Sequence, residues 1–346
     1  MKIFMRLVVL LVSGLCFSTT VFCWAEGDST KVVPRTITVA LDGSGDFSSI
    51  QEAVDGAGKG DTVVIKAGFY AQDLTIHSKE KIKILGEGID NVVLLGRGQM
   101  VGVLHVGKWP YGATDIEISG LTINEHGGHA VGIFNGNHIT LRQVRVNGMV
   151  FGQQVQDVHI EDCVIGGSET TGVHFSDSQV LLTGNVIHDN DYGVNVTGRS
   201  SVRLERNIVT RSLFEAVVIS DQAKAVLINN TLVKNGGGAA FLDSATIEAA
   251  ANILSLNKVG FLIAASSQTK TSYNALFNCD VNYMRTGPQN VYAPELQAES
   301  DMTVDPLFVD VEHDDFRLKP DTTLVNRGSF GYLGALPPIP VPTQSR

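Results

Sequence analysis

Imidazole, guanidinium and amide side chains return at nearly regular intervals between residues 154 and 211. An imidazole can take a proton from a sugar carbon, a guanidinium can hold a carboxylate through two hydrogen bonds, and an amide can bind hydroxyl groups. We therefore predict His174, His188 and Arg211 as catalytic residues. Gln154 and Asn195 are predicted to bind substrate beside them.

Carboxylates recur in the same part of the chain, at Glu169, Asp189 and Asp191. Carboxylate oxygens are the ligands that Ca²⁺ prefers, so these three residues predict a Ca²⁺ site. A second interpretation stays open. Asn and Asp are common turn residues, so the segment from Asp189 to Asp191 could be an ordinary polar turn, with His174 a solvated strand residue.

The elements that must position these side chains are short repeated strands. Seven similar segments begin at residues 118, 141, 160, 182, 204, 228 and 249, which is typical of a solenoid. Each segment alternates inward and outward residues with period two, which excludes a helical repeat. The fourth position holds Cys163, Asn185, Asn207, Thr231 and Asn252, and Asn274 follows 22 residues later. In coils stacked about 4.8 Å apart, these asparagines would form one internal ladder of an all-β parallel β-helix.

A second strand series supports the same fold. Segments such as Gly172–Phe175, Gly193–Val196 and Gly260–Ile263 each follow their partner segment after a short turn and keep apolar residues at the inward positions. One coil cannot bury its inner face alone, so its neighbours must stack on it. The sequence predicts an outward column made of Gln154, His174, Asn195, Val218, Phe241 and Leu262.

The first 25 residues indicate an exported protein. Residues 1–25 have a positive start, a short apolar run and a small-x-small end before Glu26, as a signal peptide has. Removing Lys2 and Arg6 takes the formal charge from −10 to −12. We expect a secreted or periplasmic monomer with no membrane span, and an acidic chain of this kind is not expected to bind nucleic acid. Cys163 and Cys279 lie about five rungs apart, too far for a disulfide.

The sequence predicts one β-helix domain over residues 36–335. A short helix with Ser48 as N-cap is expected to cover its first coil. Residues 107–114 and 283–303 are predicted to leave the coil, residues 305–328 to form the last coil, and residues 336–346 to form a proline-rich tail.

The segment from Asp42 to Val54, followed by Gly60 to Tyr70, resembles the opening of the pectin-lyase-like superfamily. The segment from Asp305 to Pro320 is similar to the closing segment of many of its secreted members. The resemblance covers roughly residues 36–335 and implies a single right-handed parallel β-helix of about ten or more coils that acts on polysaccharide.

The catalytic motifs of individual families in this superfamily are not matched. Ile160-Glu-Asp162 departs from the Ile-Asp-His strand of pectate lyases, and Val194-Asn-Val-Thr197 stands where alginate C5-epimerases have Asp-Pro-His-Asp. No family's catalytic residue is therefore carried over to this chain.

Two main functional hypotheses follow. The first is an exported lyase or epimerase of uronate-containing polysaccharide, with Ca²⁺ as its cofactor and Trp109 stacking on a sugar. The second is a carbohydrate-binding or surface-interaction β-helix without catalysis. An accessory protein that loads metal centres is a third, which the small number of clustered histidines argues against. On the other strand series, Arg142 and Glu161 are predicted to pair across neighbouring strands.

Overall fold

The structure, a computed structural model, describes residues 33–97, 102–325, 327 and 330–340. The predicted signal peptide at residues 1–25 lies outside the described residues, as do residues 341–346. Among the described residues, the chain forms about eleven turns of a single right-handed parallel β-helix. No helix in this part of the chain is long and apolar enough to cross a membrane.

Each coil contributes one strand to each of three parallel sheets, A, B and C. Sheet A contains β1 (Thr36–Val39), β2 (Thr62–Ile65), β5 (Glu80–Gly86), β10 (Gln156–Glu161), β13 (Gln179–Thr183), β16 (Ser201–Glu205), β19 (Lys224–Ile228), β22 (Thr246–Ala250) and β25 (Gln268–Ser272). Sheet B contains β3 (Gly68–Ala71), β6 (Val92–Leu95), β11 (Val164–Gly166), β14 (Val186–His188), β17 (Ile208–Thr210), β20 (Thr231–Val233), β23 (Ile253–Ser255) and β26 (Ala275–Phe277). Sheet C contains β4 (Leu74–Ile76), β7 (Leu104–Val106), β12 (Thr171–Ser176), β15 (Tyr192–Thr197), β18 (Glu215–Ile219), β21 (Gly237–Phe241), β24 (Val259–Ile263) and β27 (Val281–Arg285).

Two long strands, β8 (Thr114–Phe134) and β9 (Asn137–Gln153), run through all three sheets. After β27 come β28 (Val291–Tyr292), a 3₁₀ helix (Pro294–Leu296), β29 (Phe308–Asp310) and β30 (Asp315–Leu318).

The predicted asparagine ladder is confirmed at the bend between sheets A and B. The Nδ2 atom of Asn185 donates to Asn207 Oδ1 at 2.9 Å, and the same contact continues from Asn252 to Asn274 at 2.9 Å. The ladder position between Asn207 and Asn252 is occupied by Asn230 and not by the predicted Thr231. Strand β16 pairs with β19 so that Leu204 lies opposite Leu227, which shifts the predicted register by one residue.

The helix α1 (Ile50–Gly56) covers the first coil with Ile50, Ala53 and Val54 buried. Its N-cap is Ser49, whose Oγ accepts from the Glu52 N–H at 3.4 Å, so the predicted Ser48 cap is wrong by one residue. Gln51 has a different role. Its side-chain amide pairs with both backbone groups of Thr75 at 2.8 and 3.0 Å, which covers the first strand of sheet C.

The C-terminal end differs from the predicted last coil. Tyr283 lies in the coil core on β27, so the predicted departure at residue 283 is wrong and the coil continues to Arg285. Residues 302–325 and 330–340, here called the C-terminal strap, fold back over the outside of sheet B. Phe316 packs with Ile208 and Val233 there. The strap takes this path because the outward positions of these strands are apolar and need cover.

Residues 336–340, which were predicted as part of a proline-rich tail, belong to the strap and pack against its other residues and the coil. The Ile339 N–H donates to Leu318 O at 2.9 Å, and Leu336 contacts the cluster around Ile208. Cys163 and Cys279 are both free thiols, as predicted. Burial raises the pKa of the Cys163 thiol to about 12.

Candidate functional site

A cluster of imidazole and phenyl rings lies on the outward face of sheet C. Backbone pairing places His174 directly opposite Phe151 on one side and Asn195 on the other. The Phe151 ring meets His174 edge-on at 5.4 Å between centroids, stacks with His129 at 5.0 Å, and contacts Phe134 at 5.7 Å. These four residues, His129, Phe134, Phe151 and His174, are called the imidazole cluster.

Burial sets the protonation of this cluster. Desolvation lowers the pKa of His129 below its ordinary value. Desolvation also lowers the pKa of His174, and the nearby His129 adds to this effect. Both imidazoles are therefore neutral near pH 7, which is the form that can accept a proton.

An unpaired hydrogen-bond acceptor lies beside the cluster. Asn195 Oδ1, on the strand paired with that of His174, is buried and has no hydrogen-bond partner among the described residues. His174 Nε2 lies 3.5 Å from Thr197 Oγ1, a long contact that leaves capacity for another partner. A sugar hydroxyl could supply the donor that Asn195 Oδ1 lacks.

A second, ionic group lies at the bend between sheets B and C. Arg211 donates to both oxygens of Asp189 at 2.7 and 2.8 Å and also binds Asp314 of the strap. His188 Nδ1 lies 2.7 Å from Asp189 Oδ2, and Lys234 Nζ lies 3.3 Å from Asp314 Oδ1. The hydrogen bonds from Arg211 lower the pKa of Asp189 to about 2. The charge of Arg211 is thus already balanced by two carboxylates.

The structure therefore separates the predicted site residues into two groups. His174 and Asn195 lie together on sheet C, whereas His188, Asp189 and Arg211 form the ionic group at the bend. Asp189, predicted as a Ca²⁺ ligand, and Arg211, predicted as a catalytic residue, form a bidentate ion pair with each other.

Gln154 does not share the column of His174. It lies exposed on a bend after β9, with φ of 54°, and its backbone N–H donates to Ser176 O. Phe151 occupies the predicted Gln154 position, because register follows the β9–β12 pairing and not a fixed count of residues. Phe241 is likewise inward and fully buried, and Ala240 takes its place in the outward column.

Glu169 and Asp191 lie on neighbouring rungs at the bend between sheets B and C, with no side-chain hydrogen bond to any described residue. No group of three or more His, Cys, Asp or Glu side chains among the described residues is arranged to hold a metal ion. The Ca²⁺ site stays a prediction.

Trp109 is 73% exposed on the loop between β7 and β8. This loop turns tightly, with the Lys108 N–H donating to Tyr111 O at 2.7 Å. It lies at the edge between sheets C and A, next to the strand that carries His105. The predicted Arg142–Glu161 pair is confirmed on sheet A, where Arg142 donates to Glu161 Oε2 at 2.6 and 2.9 Å.

Sequence reasoning missed Phe134 and Phe151 as site residues. Phe151 follows the inward Val150 as His174 follows Val173, but the offset between paired residues changes from 19 to 23 within this coil, which hides the alignment in the sequence. Asp314 carried no sequence signal, since it reaches Arg211 from 103 residues away.

Comparisons with known proteins agree with this architecture. Residues 109–277 match the family described as the right handed beta helix region. The polygalacturonase of Erwinia carotovora ssp. carotovora superposes with a TM-score of 0.53 at 11% identity, over 72% of this chain and 86% of that one. The comparisons therefore show the fold, a right-handed parallel β-helix.

Two sequence relatives match a short part of the chain. The probable pectinesterase/pectinesterase inhibitor 6 of Arabidopsis thaliana is 34% identical over 76 residues, and a pectinesterase/pectinesterase inhibitor of Ficus pumila var. awkeotsang is 32% identical over 76 residues. Each match covers 20% of this chain and spans only 14% of the relative's length. These matches leave the reaction of this β-helix open.

Proposed function

We propose that this β-helix acts on a polysaccharide bound along the outward face of sheet C. The observation that carries the proposal is the imidazole cluster, where His129 and His174 contact opposite parts of Phe151 and burial lowers the pKa of both imidazoles. The phenyl rings supply apolar surface for sugar rings, and Asn195 Oδ1 supplies an unpaired acceptor. The rungs repeat about every 4.8 Å along the axis, close to the length of one sugar unit.

In the reaction that we propose, the substrate is a uronate-containing polysaccharide and the chemistry is that of a lyase or epimerase. Neutral His174 takes the proton from C5 of the sugar. In a lyase the electron pair of that C–H bond forms a C4–C5 double bond as the C4–O glycosidic bond breaks and its oxygen takes up a proton, and in an epimerase C5 takes up a proton on its other face. His129 lies on the other side of Phe151 and is available as a second proton-transfer group. Ca²⁺ bound by Glu169, Asp189 and Asp191 stays part of the proposal, and the effect of a chelator tests it.

A second candidate function is polysaccharide binding without turnover. It is favoured by the absence of charge at the outward positions of sheet C from β7 to β24, among the residues that the structure describes. These positions hold His105, Gly132, Phe134, Phe151, Gln153, His174, Ser176, Asn195, Thr197, Val218, Ala240 and Leu262. Elimination at a uronate requires a positive partner for the carboxylate, and Arg211 is already paired.

The test is a screen of uronate polymers for the absorbance of an unsaturated product, with and without a chelator. We expect His174→Gln to lower turnover by about 10²-fold or more, since it removes the base but keeps a polar side chain. Arg142→Ala on sheet A is the matched control and should leave turnover unchanged.

Equal turnover in the wild type and His174→Gln would show that His174 is not the base. Binding without turnover, lost in His174→Gln, would establish the second candidate. If no polysaccharide binds at all, both candidates fail.

We also propose that the protein is exported. This proposal rests on the sequence of residues 1–25. Mass spectrometry of protein from the cell exterior or periplasm should find a chain that begins near Glu26. Retention of residues 1–20 in that material would contradict export through a cleaved signal peptide.

A further inference from the structure

An exposed apolar patch lies at the edge shared by sheets B and C. It consists of Tyr192, Leu213 and Phe214, and it is called the edge patch. The rings of Tyr192 and Phe214 stack at 5.0 Å between centroids with an angle of 28° between their planes. Leu213 is 64% exposed and Phe214 is 45% exposed. Side chains of this kind are costly to leave in water, so a contiguous set of them marks a binding surface.

The edge patch continues the face that carries the imidazole cluster. Tyr192 begins β15, the strand that presents Asn195 beside His174. Phe214 directly precedes β18, which pairs with β15 on the next rung. The patch therefore borders sheet C one to two rungs beyond His174.

The other end of this face has its own exposed aromatic residues. Trp109 and Tyr111 are 73% and 60% exposed on the loop that follows His105. Strand β7, which carries His105, and strand β18, which follows Phe214, are five strands apart in sheet C. At about 4.8 Å per strand, this separation is about 24 Å along the axis.

We propose that one polysaccharide chain of about five sugar units crosses sheet C diagonally, from the Trp109 loop to the edge patch. This inference rests on the proposed function and deepens it, because it defines the length of the bound segment and a distal binding site. The edge patch takes a sugar ring through its apolar faces, while the imidazole cluster holds the central unit.

The edge patch is small for an interface between two copies of the chain. Three side chains are far fewer than the roughly 20–30 residues that each partner contributes to a stable interface. The continuity with sheet C and the match between rung and sugar spacing favour a carbohydrate chain as the occupant.

The test measures binding by calorimetry with size-fractionated oligogalacturonates, oligomannuronates and cello-oligosaccharides of two to eight units. For the oligosaccharide type that binds, affinity should rise with length and level off at about five or six units. Phe214→Ala should weaken binding of six-unit oligosaccharides roughly five- to tenfold and leave three-unit binding unchanged.

Trp109→Ala should have a similar effect from the opposite end, and its exposed loop position makes misfolding a lesser concern. Because the two residues are far apart, the fold-changes of the double variant should multiply. Tyr273→Ala is the matched control, since Tyr273 is an exposed aromatic residue next to Asn274 on the bend between sheets A and B.

Several results would overturn the inference. Affinity that levels off at two or three units, or Phe214→Ala and Trp109→Ala variants that bind six-unit oligosaccharides like the wild type, would show that the bound segment is shorter. A wild-type dimer in sedimentation that Phe214→Ala dissolves would assign the patch to self-association. Complete absence of binding by every oligosaccharide would remove the proposed function together with this inference.

Discussion

His174 lies on the outside of the coil, yet Phe151 and its neighbours remove much of its contact with water. The result is a histidine whose pKa is lowered mainly by desolvation, with a smaller contribution from the nearby His129. Protonation of either imidazole disfavours protonation of the other. At the scale of single residues, the phenyl rings therefore control the chemistry that the imidazoles can perform.

Removing the Phe151 ring should raise the pKa of His174 toward its ordinary value of about 6.5. Phe151→Ala opens the edge-on contact at 5.4 Å and admits water to the imidazole. In the wild type, the unfolded chain takes up this proton more readily than the folded one, so the folded state loses stability as pH falls below about 6.5. This loss should be smaller in the variant.

NMR titration of the His174 imidazole measures the change directly. Phe69→Ala, which alters an exposed phenyl ring on β3, serves as the control. An unchanged or lower His174 pKa in Phe151→Ala would mean that the phenyl ring does not desolvate the imidazole.

The sequence could predict that His174 and Asn195 are neighbours, because both follow inward valines in similar segments. It could not place Phe151 beside them. The offset between paired residues is 19 at Gly166 and Asn147 but 23 at Val173 and Val150, so the bend between β11 and β12 adds four residues that a fixed period does not count. Ion pairing of Arg211 was also beyond reach, since Asp314 comes from a distant part of the chain.

The asparagine ladder shows how one element is stabilised by its neighbours. Asn207 Nδ2 donates to both Leu182 O and Asn230 Oδ1, and its own Oδ1 accepts from Asn185. The column ends at Asp301, whose carboxylate accepts from Asn274 and from the Tyr283 hydroxyl. All of these polar groups are buried, so each depends on the next rung.

Asn207→Leu should lower the free energy of unfolding by about 1–3 kcal/mol, because it leaves buried groups on both adjacent rungs without partners. Thermal and denaturant unfolding measure the effect. Asn290→Leu, at an exposed position, is the control. A melting curve like that of the wild type would argue against an energetic role for the ladder.

A second ladder at the bend between sheets B and C is incomplete. Asn235 and Asn257 are joined at 3.2 Å, but the next position holds Ser212. Asn190 Nδ2 and Ser212 Oγ are buried and lack hydrogen-bond partners among the described residues. The serine side chain is too short to reach both neighbours.

Ser212→Asn should therefore raise the free energy of unfolding by about 0.5–1.5 kcal/mol, because a new amide could bond to Asn190 and Asn235. Ser200→Asn is the matched control and should destabilise, since Ser200 Oγ already bonds to Ser178 N and Thr197 O. If Ser212→Asn also destabilises the protein, the column has no room for a full ladder.

At the scale of the whole molecule, the C-terminal strap links coils that would otherwise touch only their neighbours. Asn229 Nδ2 donates to Tyr332 O, and the Ala335 N–H donates to Thr231 Oγ1 at 2.9 Å. The sequence predicted a coil here because the segment resembles a closing segment. The strap covers the outward apolar residues Ile208 and Ile253 of sheet B, which the sequence analysis did not predict.

Phe316→Ala should release the strap while the coil stays folded. Phe316 is buried against Ile208 and Val233. Removing its ring costs about 3–5 kcal/mol of stability. We expect this loss to exceed the free energy that the remaining contacts between strap and coil contribute. Stacked repeats melt locally because each coil depends chiefly on its neighbours. The rate of hydrogen exchange should therefore rise in the C-terminal strap and stay unchanged in β10, β11 and β12. Phe330→Ala, at a partly exposed ring over Arg206, should have little effect. Uniformly faster exchange throughout the coil would show that the strap and the coil unfold as one unit.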